Sequence, residues 1–251
     1  MELITPEILL LLIAAATVAG LVDAIAGGGG LIALPALLWA GIPPIQALAT
    51  NKLQGSFGTA TASFQFVRKG EIDPKTLLLP IILTFVGSAC GTLTVQHLVS
   101  DWLEQLVPLL LIGFAIYFLF SPRISDEDAR QRIHLTGFSL LVGFSGGFYD
   151  GFFGPGTGTF FAAGFVFLLG YNMRRATAGT KLLNLTSNLA SLAFFAWGGQ
   201  VLWLIGLSMG LGQVLGAWAG SHLVIRHGTA LIRPVLVIVS IAVSLKLLLS
   251  T

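Results

Sequence analysis

The chain has 251 residues, of which 55% are hydrophobic and only 10% charged, with a mean hydropathy of +0.90. Such a composition excludes a water-soluble domain and places the protein in an all-α, polytopic membrane class. A net charge of +2, with cations scattered at the ends of apolar runs, also excludes a nucleic-acid-binding surface.

A spanning helix takes about 20 apolar residues at a rise of about 1.5 Å each. The first run, 7–24, is expected to be a retained helix, because Lys52 is the first basic residue of the chain and a signal peptide needs a basic start. It ends at Asp23 and the run Gly27-Gly28-Gly29-Gly30, after which 31–41 is long enough only for a half-span. Spans follow over 45–67, 76–98 and 102–121. The stretch from Ser121 to His134 carries Arg123, Asp126, Glu127, Asp128, Arg130 and Arg132. It is too short to enclose a core, so 122–133 reads as a charged cytoplasmic linker between membrane halves 1–121 and 134–251. The second half continues with 133–150, a half-span over 157–170, and spans over 176–197, 200–224 and 229–249. The expected fold has about eight hydrophobic helices and two half-helices. Cys90, the single cysteine, falls within an apolar run and reads as a small packing residue.

The halves repeat each other. Gly20-Leu-Val-Asp23 before the first glycine cluster corresponds to Gly147-Phe-Tyr-Asp150 before Gly154-Pro155-Gly156, 127 residues later. Ala47-Leu-Ala-Thr50-Asn51-Lys52 corresponds to Ala176-Thr-Ala-Gly179-Thr180-Lys181 at a separation of 129. Gly87 and Gly91 with His97 correspond to Gly212 and Gly216 with His222 at 125, and Pro108 to Pro234 at 126. A repeat over the whole chain is an architectural signal. Transporters are commonly built this way, with the site where broken helices meet.

Basic residues gather at Arg68, Lys69 and Lys75, at Arg123, Arg130 and Arg132, at Arg174 and Arg175, and at Arg226 and Arg233, whereas the segments near 97–104 and 198–200 have none. The positive-inside rule puts those clusters in the cytoplasm. That topology requires 7–41 and 133–170 to be re-entrant hairpins, which leaves three crossings per half, inverts the second half and places both termini outside the cytoplasm. The protein is then expected in the cell (inner) membrane as a multi-pass chain.

Glycines at the hairpin tips permit left-handed backbone and close approach. Non-helical backbone at that depth survives only where it lines a cavity. The half-helices starting near Leu31 and Thr157 aim their N-terminal N–H groups at this point. Lys52 and Lys181 lie about two turns into their helices. Two helix N-termini and two ammonium groups describe a site for an anion.

The stretch Gly20 to Gly58, with its four glycines, Pro35 and Ala49-Thr50-Asn51-Lys52-Leu53-Gln54-Gly55-Ser56, resembles the TauE/SafE family of membrane transporters. The similarity extends over nearly the whole chain and is greatest to the branch of probable membrane transporter proteins. The resemblance implies a transporter of sulfite, sulfoacetate or a related organosulfur anion. Pro155 stands for a glycine in the second copy, and Thr180 and Leu183 stand where the first has Asn51 and Gln54, which argues against a strictly symmetric site.

The expected site comprises Lys52 and Lys181 for the charge, Asn51, Gln54, Asn184 and Thr180 as hydrogen-bonding groups, and Gly28, Gly29, Gly30 and Gly156 at the tips. Asp23 and Asp150 hold the lysines or carry a coupling proton. The bland alternatives are ion pairs of Asp23 with Lys52 and of Asp150 with Lys181, and amides of Asn51, Gln54, Asn184 and Asn188 that only join helices. No metal site follows from His97 and His222, and no cofactor motif is present. Without a nucleophile with its base, or a phosphate loop, an intramembrane enzyme is disfavoured. Carrier and anion channel use the same lysines; related halves with broken helices suit a carrier by alternating access. With no ATP motif, energy has to come from a gradient. The coupling ion, proton or sodium, and assembly as a homodimer are left open.

Overall fold

The computed structural model describes residues 5–98 and 130–227, which among them form helices and no strands. The expected spans 102–121 and 229–249, most of the charged linker, and Pro108 and Pro234 lie outside the described residues. The rest follow the hydrophobic runs closely: α1 Pro6–Ala26, α2 Gly30–Trp39, α3 Pro44–Arg68, α4 Leu78–Gln96 after a 3-10 turn Pro74–Leu77, α6 Thr157–Leu169, α7 Met173–Trp197 and α8 Trp203–His227. Helix α5, 135–152, consists of Leu135–Phe138, a π-helical stretch Ser139–Phe144 and Ser145–Phe152.

Local chemistry starts these helices where the sequence changes character. The Thr5 hydroxyl accepts from the Ile8 N–H, and the Asn172 side chain accepts from the Arg175 N–H at 2.9 Å, each satisfying a donor at a helix start. Pro44 opens α3, where a missing N–H costs nothing. By length and apolar character, Pro6–Ile25 and Pro74–Gln96 are long enough to cross a membrane among the described residues. Helices α3 and α7 are more polar because each turns a face of Thr, Asn, Lys and Ser inward, and these side chains are buried.

Two apolar clusters sit at either end of the molecule's polar centre. One gathers Leu12, Leu34, Leu37, Ala47, Ala49 and Leu53 with Phe195 and Val201, and the other Phe161, Phe165, Ala176, Ala178 and Leu182 with Phe66 and Ile72. Helix α3 therefore runs from the first cluster to the second, and its counterpart α7 runs the opposite way. The hairpin α1–α2 leaves the first cluster and returns to it, and α5–α6 does the same at the second.

The halves interlock. Helix α1 packs on α8 of the other half, and α4 packs on α5. Glycines make this possible: Gly212, Gly216 and Gly220 of α8 face the α1 backbone at Ile13, Thr17 and Leu21, while Gly87 and Gly91 of α4 face Phe144 and Phe148 of α5. A Cβ at Gly212 would sit 2.5 Å from the Ile13 carbonyl, so these positions tolerate no side chain without separating the helices. Gly216→Leu is expected to cost at least the ~1–3 kcal/mol of an overpacked core. The melting temperature in detergent reads this, and an unchanged value would show that α1 and α8 do not touch.

Cys90 departs from its reading as a packing residue. It is exposed, because α4 turns its glycine face to α5 and leaves Cys90 on the outer side. Of the tryptophans, Trp39, Trp197 and Trp203 stand exposed at helix ends, where amphipathic rings suit a membrane interface.

Candidate functional site

Both breaks are made by glycine in left-handed backbone. Gly27 has φ +80°, and Gly154 and Gly156 have φ +97° and +86°. The two tips lie against each other: a Cβ at Gly27 would stand 2.8 Å from the Gly158 backbone, and one at Gly30 would stand 3.2 Å from Pro155. The starts of α2 and α6 thus share one place, and neither has a side-chain cap for its first N–H groups. Tyr149 fixes the second tip by donating its hydroxyl to the Pro155 carbonyl at 2.7 Å.

The charges meet here, in a pairing that reverses the expectation of bonds within each half. Lys52 Nζ is 3.0 Å from Asp150, and Lys181 Nζ is 2.9 Å from Asp23. The partners cross between halves because each hairpin tip reaches over the long helix of the other half. Both lysines are buried, at 2% and 0% exposure of their side chains. Buried ions of this kind persist only when paired and hydrogen-bonded. Lys181 also donates to the main-chain carbonyl of Asp23, whose carboxylate accepts from the Gly29 N–H at 3.3 Å. Asp150 accepts from the Ser187 hydroxyl.

Between the tips lies a polar cavity of about 40 Å³. One water needs about 10–15 Å³ on this measure, so the space is that of roughly three waters or a small oxyanion. Of the expected residues, Lys52, Asn51, Gln54, Asn184, Gly29, Gly30, Gly156, Asp23 and Asp150 line it. Lys181, Thr180 and Gly28 do not; Lys181 is covered by Asp23, and the Thr180 hydroxyl is buried with no partner. Gln54 donates to Asn51 Oδ1 at 2.7 Å, which leaves Gln54 Oε1 unpartnered, as is Asn184 Oδ1. Buried polar atoms without partners are uncommon and call for an explanation such as an absent ligand or water.

Thr59, Gln213 and the glycines Gly55 and Gly158 also line the cavity, although sequence reasoning passed them over. Thr59 lies two turns beyond Lys52 on the same face of α3, a signal that helical spacing offers. Gln213 lies on the other half's last described helix and reaches the site only through the interlocked packing. Asn188, an amide that the sequence offers equally as a helix tie or a substrate donor, lines the cavity and donates to Thr59 at 3.4 Å. Among the described residues no cluster of His, Cys, Asp and Glu could hold a metal.

Two broken helices that meet at a buried charged cavity are the arrangement of a helical membrane transporter. The chain belongs to the sulfite exporter TauE/SafE family, whose model matches residues 12–247. It is 47% identical over 246 residues to the probable membrane transporter protein YfcA of Escherichia coli (strain K12), covering 98% of this chain and 91% of the relative. It is 46% identical over 241 residues to a probable membrane transporter protein of Haemophilus influenzae, covering 96% of this chain and 94% of that one. A sulfite exporter TauE/SafE family protein 6 of Arabidopsis thaliana is 30% identical over 100 residues, 39% of this chain and 23% of the plant protein. No solved structure matches the chain significantly.

Proposed function

We propose that the protein is a secondary transporter of a small anion, a sulfur oxyanion or organosulfonate such as sulfite or sulfoacetate. The substrate sits between the two hairpin tips and is passed across by alternating access. The observation that carries this reading is the polar cavity where both broken helices converge, lined by an ammonium, amides and uncapped helix starts. The family's description as sulfite exporters supports the sulfur chemistry. The opposite directions of α3 and α7 support inverted halves, with the hairpins entering from opposite faces of the cell membrane and both termini outside the cytoplasm.

Flux in proteoliposomes tests the reading. With sulfite, sulfoacetate, taurine and sulfate offered separately, the wild type is expected to give a saturable signal for at least one, and Lys52→Ala with Lys181→Ala to lose it. Flux that does not saturate would indicate a channel, and no flux with any of them would reject the substrate class.

A further inference from the structure

Among the described residues the four charges of the site sum to zero, with Lys52, Lys181 and Asp150 buried and Asp23 half-buried, and each ammonium already has its carboxylate. An anion entering the cavity meets no spare positive charge, so it gains an ammonium only by taking a carboxylate's place. The two pairs are not equally open to that exchange. Lys181 has no face on the cavity and is held twice by Asp23, through the carboxylate and the main-chain carbonyl. Lys52 lines the cavity with Asp150 beside it.

Displacing Asp150 from Lys52 would leave a carboxylate that is 4% exposed without its cation. Such a stranded charge is costly in a buried site, and uptake of a proton removes the cost. Ser187 serves both forms, because its hydroxyl donates to the ionised carboxylate and its oxygen can accept from the neutral acid. Asp23 lacks this device. The residue 129 before Ser187 is Gly58, and the side-chain partner of Asp23 from the backbone is the Gly29 N–H, which favours only the charged form. Among the described residues, the other ionisable groups at the site are Asp23 of α1 across the cavity, with Lys181 of α7 bound to it, and Tyr149 on α5, which is bound to Pro155. Helices α4 and α6 carry no charged residue.

The geometry points to coupling by charge exchange: one anion replaces Asp150 on Lys52 while Asp150 binds one proton from water, so anion and proton are carried together. This rests on the transport reading above and goes beyond it by assigning the coupling ion and the residue that carries it. Lys52–Asp150 is the working pair, and Lys181–Asp23 holds the other tip in place.

Calorimetric titration of the purified protein tests this with methanesulfonate, sulfoacetate and sulfate, whose own charges do not change near neutral pH. Repeating each titration in buffers of different ionisation enthalpy counts the protons. The expected result is one proton taken up per anion, with affinity weakening about tenfold per unit rise in pH where that linkage holds. Asp150→Asn is expected to bind with no proton uptake and a flat pH profile, whereas Asp23→Asn still takes up its proton. Binding by the wild type without proton uptake overturns the inference and leaves the transport reading standing. Proton uptake lost in Asp23→Asn but kept in Asp150→Asn overturns the assignment. No binding of any of the three anions overturns the inference, and the flux assay above, which includes sulfite, decides whether the transport reading falls with it. The wild-type proton count decides the matter even where a variant fails to fold.

Discussion

Lys52→Met is expected to lower the stability of the folded protein by about 3–5 kcal/mol, and adding Asp150→Asn is expected to restore most of it. The single substitution leaves the Asp150 carboxylate buried with no ammonium 3.0 Å away. The pair itself need not stabilise the fold much, since desolvating two ions offsets most of their attraction. What destabilises is the stranded partner. The crossed geometry sharpens the expectation, because only the partner from the other half should rescue. Lys52→Met combined with Asp23→Asn is expected to be worse than Lys52→Met alone, since it strands Lys181 as well. Thermal unfolding in one detergent compares the three variants. Rescue by Asp23→Asn in place of Asp150→Asn would sink the crossed pairing. On the transport reading, the rescued double variant folds but carries no anion.

Gly27→Ala is expected to remove both folding yield and flux, while Gly41→Ala costs only the strain of its backbone. The two glycines have nearly the same left-handed φ, +80° and +78°. A non-glycine residue in that conformation pays about 1–2 kcal/mol. Beyond that shared cost the surroundings differ. A methyl at Gly27 would stand 2.8 Å from the Gly158 backbone, whereas nothing lies within 4 Å of one at Gly41. Backbone cannot yield as a flexible side chain can, so the first methyl forces the hairpin tips apart and opens the wall of the cavity. Expression, melting temperature and flux measured side by side test this, and equal losses at the two sites would show that the tips do not touch.

Much of this protein is legible along one dimension. Apolar runs predict each described helix to within a few residues, because a segment that must bury its backbone in lipid has little choice but helix. The breaks at Gly27 and Gly154–Gly156 are legible because no other residue takes left-handed backbone so readily. Asp23, Asp150, Lys52 and Lys181 stand out because a charge in an apolar run is costly. Their partners were not legible. Periodicity shows which face of a helix is polar but not which helix that face meets, and so the sequence alone offers Lys52 a partner in Asp23 of its own half, as the alternative reading has it, whereas it pairs with Asp150. Gln213 escapes a reading along the chain for the same reason, as a lone amide between Gly212 and Gly216.

The amino-acid sequence by itself determined the membrane class, the described helices and their breaks, and the family, since these depend on composition and local backbone chemistry. Only the tertiary structure decided that α1 docks on α8 and α4 on α5, that the ion pairs cross between the halves, and that Lys52 faces the cavity while Lys181 is sealed behind Asp23. Helix association in a membrane turns on close packing and on polar contacts made over long separations in the chain, and neither leaves a periodic signal in one helix.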